Sequence, residues 1–156
     1  MITTIGVMDN EQQYKKYASE LTKYATGLVG PTDAQDVVAD ACLKAFSARA
    51  WPEVSNQRAY LYRTVLNVAM DHHRSTFSRR LRELKAAESE VVPAREVDVD
   101  VLTAVDRLSI QQRAAVMLTY WADLPPEAVA ERMGVSTGSV KRHLARARKR
   151  LGEWLA

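Results

Sequence analysis

Arg142, Arg146 and Lys149 recur at intervals of four and three residues. On an α-helix that spacing sets them on one side. An arginine fork can donate two parallel hydrogen bonds to a guanine edge, and a lysine ammonium can neutralise a backbone phosphate. The chemistry on offer is recognition of a polyanion. Between Thr137 and Leu151 there are six basic residues and no acid. A solvated basic helix at the end of a bundle shares that composition.

The surrounding residues decide between the two readings, because they would position the basic side chains. Val140, Leu144, Ala147 and Leu151 form one narrow apolar stripe. Opposite it lie Ser139, Arg142, Arg146 and Lys149, with Lys141, Arg148 and Arg150 on the flanks. Ser136 is a good N-cap for this helix. Ahead of it, Glu127 to Met133 reads as a short helix in which Ala130 lets two helices cross closely. Gly134 stands where a three-residue turn needs a positive φ. The pattern is a helix-turn-helix whose second helix enters the major groove N-terminal end first.

A second polar constellation lies upstream. Tyr60, Arg63, Thr64, Asn67, Asp71 and Arg74 share one side of a helix predicted from Arg58 to about Ser78, whose inward side is Leu61, Val65, Val68, Ala69 and His72. A tyrosine among arginines and an asparagine suits single-stranded nucleic acid, since bases stack on rings while cations hold phosphates. A solvated helix face gives the same spacing.

The third constellation is Asp36, Asp40, Leu43 and Lys44, on the outward side of a helix capped by Thr32 or Asp33 and reaching about Arg49. Its core side is Ala34, Val37, Val38, Ala41, Cys42 and Ala45. A large apolar residue among exposed acids is usually incidental, but it can mark a docking surface for a basic, partly apolar partner. Asp71-His72-His73 invites a metal reading, yet adjacent helical residues diverge by about 100° and do not converge on one ion. Neither a catalytic triad nor a phosphate-binding glycine loop has supporting context. No metal, cofactor or catalytic residue is expected.

The remaining segments are also helical or irregular. Glu11 to Leu28 repeats Tyr14, Tyr17, Leu21, Tyr24 and Leu28 at helical spacing, and Gly30-Pro31 ends it. Ala50 to Gln57 is a loop in which Trp51 packs down as core. Ser109 and Gln112 make a capping box for a helix to about Trp121, and Asp123 to Pro126 turns the chain. No β-strand is needed. The expected fold is all-α, with two small helical domains, residues 1–78 and 101–156, joined by a flexible linker at 79–100. Net charge follows that division, at +2 for residues 1–80, −3 for 81–100 and +4 for 101–156.

The single cysteine, Cys42, excludes an internal disulfide framework. No apolar run is long enough to span a membrane, so no membrane insertion is expected. The first seven residues lack the basic and long apolar regions of an export signal, which leaves the cytoplasm as the default. Met8 is a candidate start, with Met1 to Val7 as a tail.

Three stretches in order resemble the extracytoplasmic-function (ECF) group of the sigma-70 family of bacterial RNA polymerase sigma factors. DAQDVVADACLKAF resembles the helix of sigma domain two that grips the polymerase clamp helices. YLYRTVLNVAMDHHRS resembles the helix that melts and reads the minus-ten element. LSIQQRAAVMLTYWADLPPEAVAERMGVSTGSVKRHLARARKRL resembles sigma domain four, which reads the minus-thirty-five element. The resemblance implies core polymerase and promoter DNA as partners, often with an anti-sigma factor, and chemistry done by the polymerase rather than by this chain.

Carried onto these residues, the resemblance implies polymerase contacts from Asp36, Asp40, Leu43 and Lys44. It implies minus-ten contacts from Ser55, Asn56, Tyr60, Arg63, Asn67 and Arg74, with the loop from Trp51 to Gln57 capturing a flipped base. Minus-thirty-five contacts would come from Thr137, Ser139, Lys141, Arg142, His143, Arg146 and Lys149. The chain departs from the family pattern at Ala39, Cys42 and Pro125-Pro126, and at Arg142-His143, where serine-arginine is common. Two other readings are a helix-turn-helix regulator whose N-terminal helices dimerise or sense a ligand, and a sigma-like protein that only titrates polymerase or an anti-sigma factor.

Overall fold

The computed structural model describes residues 2–86 and 107–155. Six α-helices account for most of them: α1 (Ile2–Val29), α2 (Ala34–Ser47), α3 (Gln57–Ala86), α4 (Ile110–Val116), α5 (Pro126–Met133) and α6 (Thr137–Leu155). Among the described residues there is no strand. The expected linker and its flexibility fall largely outside the described residues; its first part, residues 79–86, continues α3.

The N-terminal half is a three-helix packing. Tyr17, Leu21, Tyr24 and Leu28 of α1 meet Val37, Val38, Ala41, Cys42 and Ala45 of α2 and Leu61, Val65, Val68 and Ala69 of α3, all buried. Gly30 ends α1 at φ 89, a conformation glycine adopts at little cost. The segment between α2 and α3 is not wholly irregular, because Trp51–Glu53 makes one 3₁₀ turn that drives Trp51 into the core. Its indole meets Phe46 edge-on at 5.1 Å and lies 5.7 Å from Tyr60. His72, expected inward, is half-buried at the rim, 3.2 Å from the Asp33 carboxylate. A ring with a charged partner has less to gain from the apolar interior.

The C-terminal half begins at the capping box. Ser109 Oγ accepts from the Gln112 amide and Gln112 Oε1 accepts from the Ser109 amide, each at 3.1 Å. After Val116 the helix widens into one π turn, Met117–Trp121, in which Ala122 N donates to Met117 O at 3.0 Å. Asp123 then takes φ 53 to reverse the chain. Pro125 is extended and Pro126 opens α5, where its missing N–H would have been unpaired in any case. Gly134 closes α5 at φ 71, and Ala130 O accepts from both Gly134 N at 2.8 Å and Val135 N at 3.1 Å.

The two halves share one hydrophobic core. Along α3, Ala59, Tyr62 and Leu66 are buried beside the expected Leu61, Val65 and Ala69. A helix with two adjacent apolar stripes is covered from two sides. For α3 the first cover is α1 and α2, and the second comes from α4 and α5.

Candidate nucleic-acid interface

The cap of α6 aims its basic face. Ser136 Oγ accepts from Ser139 N at 3.1 Å, and Ser139 Oγ accepts from Arg142 Nη2 at 2.9 Å. Arg142 is thus tethered near the helix start, where a major-groove reader would meet base edges. Thr137, Lys141, Arg142, Arg146 and Lys149 are exposed, while Ser139 and His143 are half-buried. His143 Nδ1 is buried with no hydrogen-bond partner among the described residues. Desolvation first, then the cations of Arg146 and Arg142, hold its pKa below the usual 6.5. A neutral ring follows at neutral pH.

Two of the three flanking basic residues, Arg148 and Arg150, are used internally. Tyr120 Oη accepts from Arg148 Nη2 at 2.9 Å and from Nε at 3.2 Å. Arg150 Nη1 donates to Arg107 O at 3.1 Å. Both brace α6 against the segment before it. Val140, Leu144 and Ala147 seal the opposite face in the core.

The second constellation is brought together on α3 and the loop before it, but not all of it is open. Ser55 and Asn67 are exposed. Tyr60 is half-buried, with the Arg63 guanidinium 5.7 Å from its ring centroid. Arg74 bonds the Asp71 carboxylate at 3.2 Å, one turn back. Asn56 does two local jobs. Its Oδ1 accepts from Ala59 N at 3.0 Å, capping α3, and its Nδ2 donates to Glu131 Oε1 at 3.0 Å across the seam with α5.

On α2, Asp36, Asp40, Leu43 and Lys44 all face solvent, and Leu43 is 68% exposed. Lys44 and Asp40 lie 3.6 Å apart. Both groups are more than half exposed, so the pair contributes little to stability. Cys42 points the other way, and burial pushes its thiol up to about 11. That thiol is a core group rather than a nucleophile.

The residues that join the halves went unread in the sequence. Arg132 places its guanidinium 4.5 Å from the Tyr62 ring centroid. Tyr62 in turn packs 4.8 Å from Tyr24 and donates to Glu20 Oε2 at 3.1 Å. Burial, with Glu20 beside Tyr62, holds both phenols far above their ordinary pKa. Gly27 leaves room for Met117, whose Sδ would lie 2.6 Å from any Cβ there. The available signals were the doubled apolar stripe on α3 and a glycine inside a helical period.

Comparison with known proteins agrees with this geometry. Sigma-70 region 2 matches residues 13–79, and sigma-70, region 4 matches residues 98–151. The RNA polymerase sigma-E factor of Streptomyces coelicolor is 31% identical over 159 residues, covering 96% of this chain and 87% of that one. The ECF RNA polymerase sigma factor SigM of Mycobacterium tuberculosis is 30% identical over 158 residues, covering 93% and 76%. Among solved structures, the sigma factor RpoE of Bartonella quintana, in complex with the anti-sigma factor NepR, superposes with a TM-score of 0.64 at 26% identity, covering 94% of this chain and 96% of that one. CnrH, in complex with the cytosolic domain of CnrY, shares the fold with a TM-score of 0.61 at 23% identity, covering 94% and 86%. With both regions matched in order along nearly the whole chain, the protein belongs to the sigma-70 family of RNA polymerase sigma factors, in its extracytoplasmic-function group.

Proposed function

We propose that the chain works as a promoter-specificity subunit through three separate surfaces, one on α2, one on α3 with the loop before it, and one on α6. Asp36, Asp40, Leu43 and Lys44 on α2 dock core polymerase. Ser55, Asn56, Tyr60, Arg63, Asn67 and Arg74 hold the opened minus-ten strand. Thr137, Ser139, Lys141, Arg142, His143, Arg146 and Lys149 on α6 read the minus-thirty-five duplex. Domain two spans residues 1–78 and domain four residues 101–156, with 79–100 as the connection. The observation that carries this reading is the order of the two family regions along the chain, residues 13–79 and then residues 98–151.

The role needs no catalysis from this chain. The polymerase makes the phosphodiester bond, and the subunit contributes binding energy and strand separation. It would act in the cytoplasm beside the polymerase; no described helix is long and apolar enough to cross a membrane. An anti-sigma factor is a fitting partner, because the sigma factor RpoE of Bartonella quintana was solved with one. A helix-turn-helix regulator with a dimerising N-terminal half does not account for a region 2 match over residues 13–79. Run-off transcription with purified bacterial core polymerase and a genomic fragment library tests the function. Promoter-specific transcripts that need this chain support it. Binding to core polymerase without any transcript would favour the titrating alternative.

A further inference from the structure

We infer that the groove between α1, α3 and α5 is a nucleotide site, which takes the phosphates of a nucleoside polyphosphate on its cations and the base on Trp121. It is separate from the three surfaces assigned above, and none of its residues belongs to them.

The groove has a volume of about 560 Å³, inside the range of about 300–1,000 Å³ common to small-molecule sites. Lys16, Glu20 and Lys23 line it from α1, Arg58 and Tyr62 from α3, and Arg132 from α5. Four cations therefore share the groove with one carboxylate. That carboxylate is already engaged: Glu20 Oε1 accepts from Arg58 Nε and Oε2 accepts from the Tyr62 hydroxyl, each at 3.1 Å. A cleft lined mainly by one sign of charge concentrates its field on a small counter-ion.

Arg132 is the anchor. It is half-buried, and its guanidinium lies 4.5 Å from the Tyr62 ring centroid. Among the described residues it has no carboxylate partner, although a charge drawn out of water ordinarily has one. A planar fork held on a ring keeps its N–H edges for an anion and loses little freedom on binding it. Lys23 is exposed, and Lys16 precedes it on α1 by seven residues, about 10 Å along the helix. Charges spread over that length suit a chain of phosphates better than a single one.

Trp121 accounts for the other part of the ligand. It belongs to the π turn after α4, its indole is 43% exposed, and it lines the same groove. An open indole is a stacking plane for a base. The cations alone would accept any polyanion, whereas the indole favours one that carries a planar ring. The basic side chains come from three helices into one groove rather than tracking along a surface, which favours a single nucleotide over a strand.

The test is isothermal titration calorimetry of the full chain with ATP at about 0.15 M salt, where long-range attraction between exposed charges is screened. Adenosine and inorganic tripolyphosphate, the two parts of the ligand, are titrated in parallel. ATP should bind about tenfold more tightly than either. Arg132→Gln should weaken ATP and tripolyphosphate alike, by about tenfold or more. Trp121→Ala should lower ATP to the affinity of tripolyphosphate and leave tripolyphosphate unchanged. Circular dichroism checks that each variant is folded. If Arg132→Gln does not fold, Lys23→Gln takes its place, since that side chain is exposed, and it should weaken both phosphate ligands several-fold.

Absence of ATP binding overturns the site. So does tripolyphosphate binding as tightly as ATP to the wild-type chain, because charge alone then accounts for the affinity. ATP affinity that ignores the substitutions at Arg132, Lys23 and Trp121 places the nucleotide elsewhere and overturns it as well. A single-stranded DNA oligonucleotide that displaces ATP and itself depends on Arg132 and Trp121, with the higher affinity, would make the groove a track for nucleic acid instead.

Discussion

Arg113 Nη1 donates to the carbonyl oxygen of Leu28 at 2.6 Å. Leu28 lies in the last turn of α1, where carbonyls have no partner within the helix and the dipole is negative. A cation from α4 therefore serves as the end-cap of a helix in the other half. Arg113→Met keeps most of the apolar stem but strands the carbonyl. The expected cost is about 1–3 kcal/mol, the range for an unsatisfied buried group. Scanning calorimetry should show a lower melting temperature and a broadened or split transition as the halves lose their coupling. An unchanged single transition would remove Arg113 from the seam.

The hydrogen bond from Arg142 to Ser139 separates two kinds of basic residue on α6. A tethered fork near the helix start suits selection of a base, whereas Lys149, two turns later, is proposed to meet phosphate. Arg142→Ala should cost about 1–3 kcal/mol on the cognate minus-thirty-five duplex and relax preference at one or two bases. Lys149→Ala should weaken all duplexes alike and lower the salt dependence by about one phosphate contact. Titrations on cognate and scrambled duplexes at several salt concentrations distinguish the two. Equal, sequence-blind losses would place Arg142 on the backbone as well.

His143 predicts a pH dependence of known sign. Its pKa in the folded chain lies below the 6.5 of the free side chain, so on acidification the unfolded chain takes the proton first. The stability that depends on a neutral His143 is complete above the free side chain's 6.5 and is lost as pH falls from there through the lower folded-chain pKa. His143→Gln cannot titrate. Urea unfolding from pH 8 to 5.5 should therefore show a shallower decline for the variant than for the wild type. Parallel curves would mean that the ring is solvated in the folded chain.

Local features were legible in the sequence because each is set within a few residues. The Ser109–Gln112 capping box, the Ser136 cap and the Gly134 turn all formed where their chemistry required. So did the core stripes of α2 and α6. The seam was not legible, since its partners lie far apart in the chain: Leu28 with Arg113, Asn56 with Glu131, Tyr62 with Arg132. Asn56 shows the limit most clearly. Its type suited a base edge, but the same type also suits an N-cap, and only the fold reveals that it serves as one. The π turn at Met117–Trp121 had no signal in an unbroken helical period.

Leu43 is the large apolar side chain most exposed on α2, on the same outward side as the Asp36 and Asp40 carboxylates. Pairing the acids with a basic coiled-coil surface and burying the leucine would give a small, well-defined contact. Asp40→Lys with Leu43→Ser should abolish competition for core polymerase. Both positions are exposed, so the fold and binding to an isolated minus-thirty-five duplex should not change. A double mutant that still competes with wild-type affinity would place polymerase docking elsewhere.

Tyr60 and Asn56 should fail in different ways, and that difference tests the loop. Tyr60→Ala removes a stacking plane worth about 1–3 kcal/mol per base. It should spare core binding and closed-complex formation but reduce open complex, read as permanganate reactivity of unpaired thymines. A pre-melted bubble should rescue much of that loss, because the unstacking cost of a few kcal/mol is then already met. Asn56→Ala carries a second consequence, since Asn56 Oδ1 caps α3 at Ala59 N. Losing an N-cap of this kind costs about 1 kcal/mol of stability, which could be mistaken for a binding defect. Asn56→Asp separates the two effects: it keeps the capping oxygen, removes the amide that a base edge would use, and sets a second carboxylate beside Glu131. The aspartate variant should therefore match wild type in melting temperature more closely than the alanine variant does, yet still lose open complex. If both variants open promoters in proportion to their stability alone, Asn56 is only a helix cap and the base reader lies on α3.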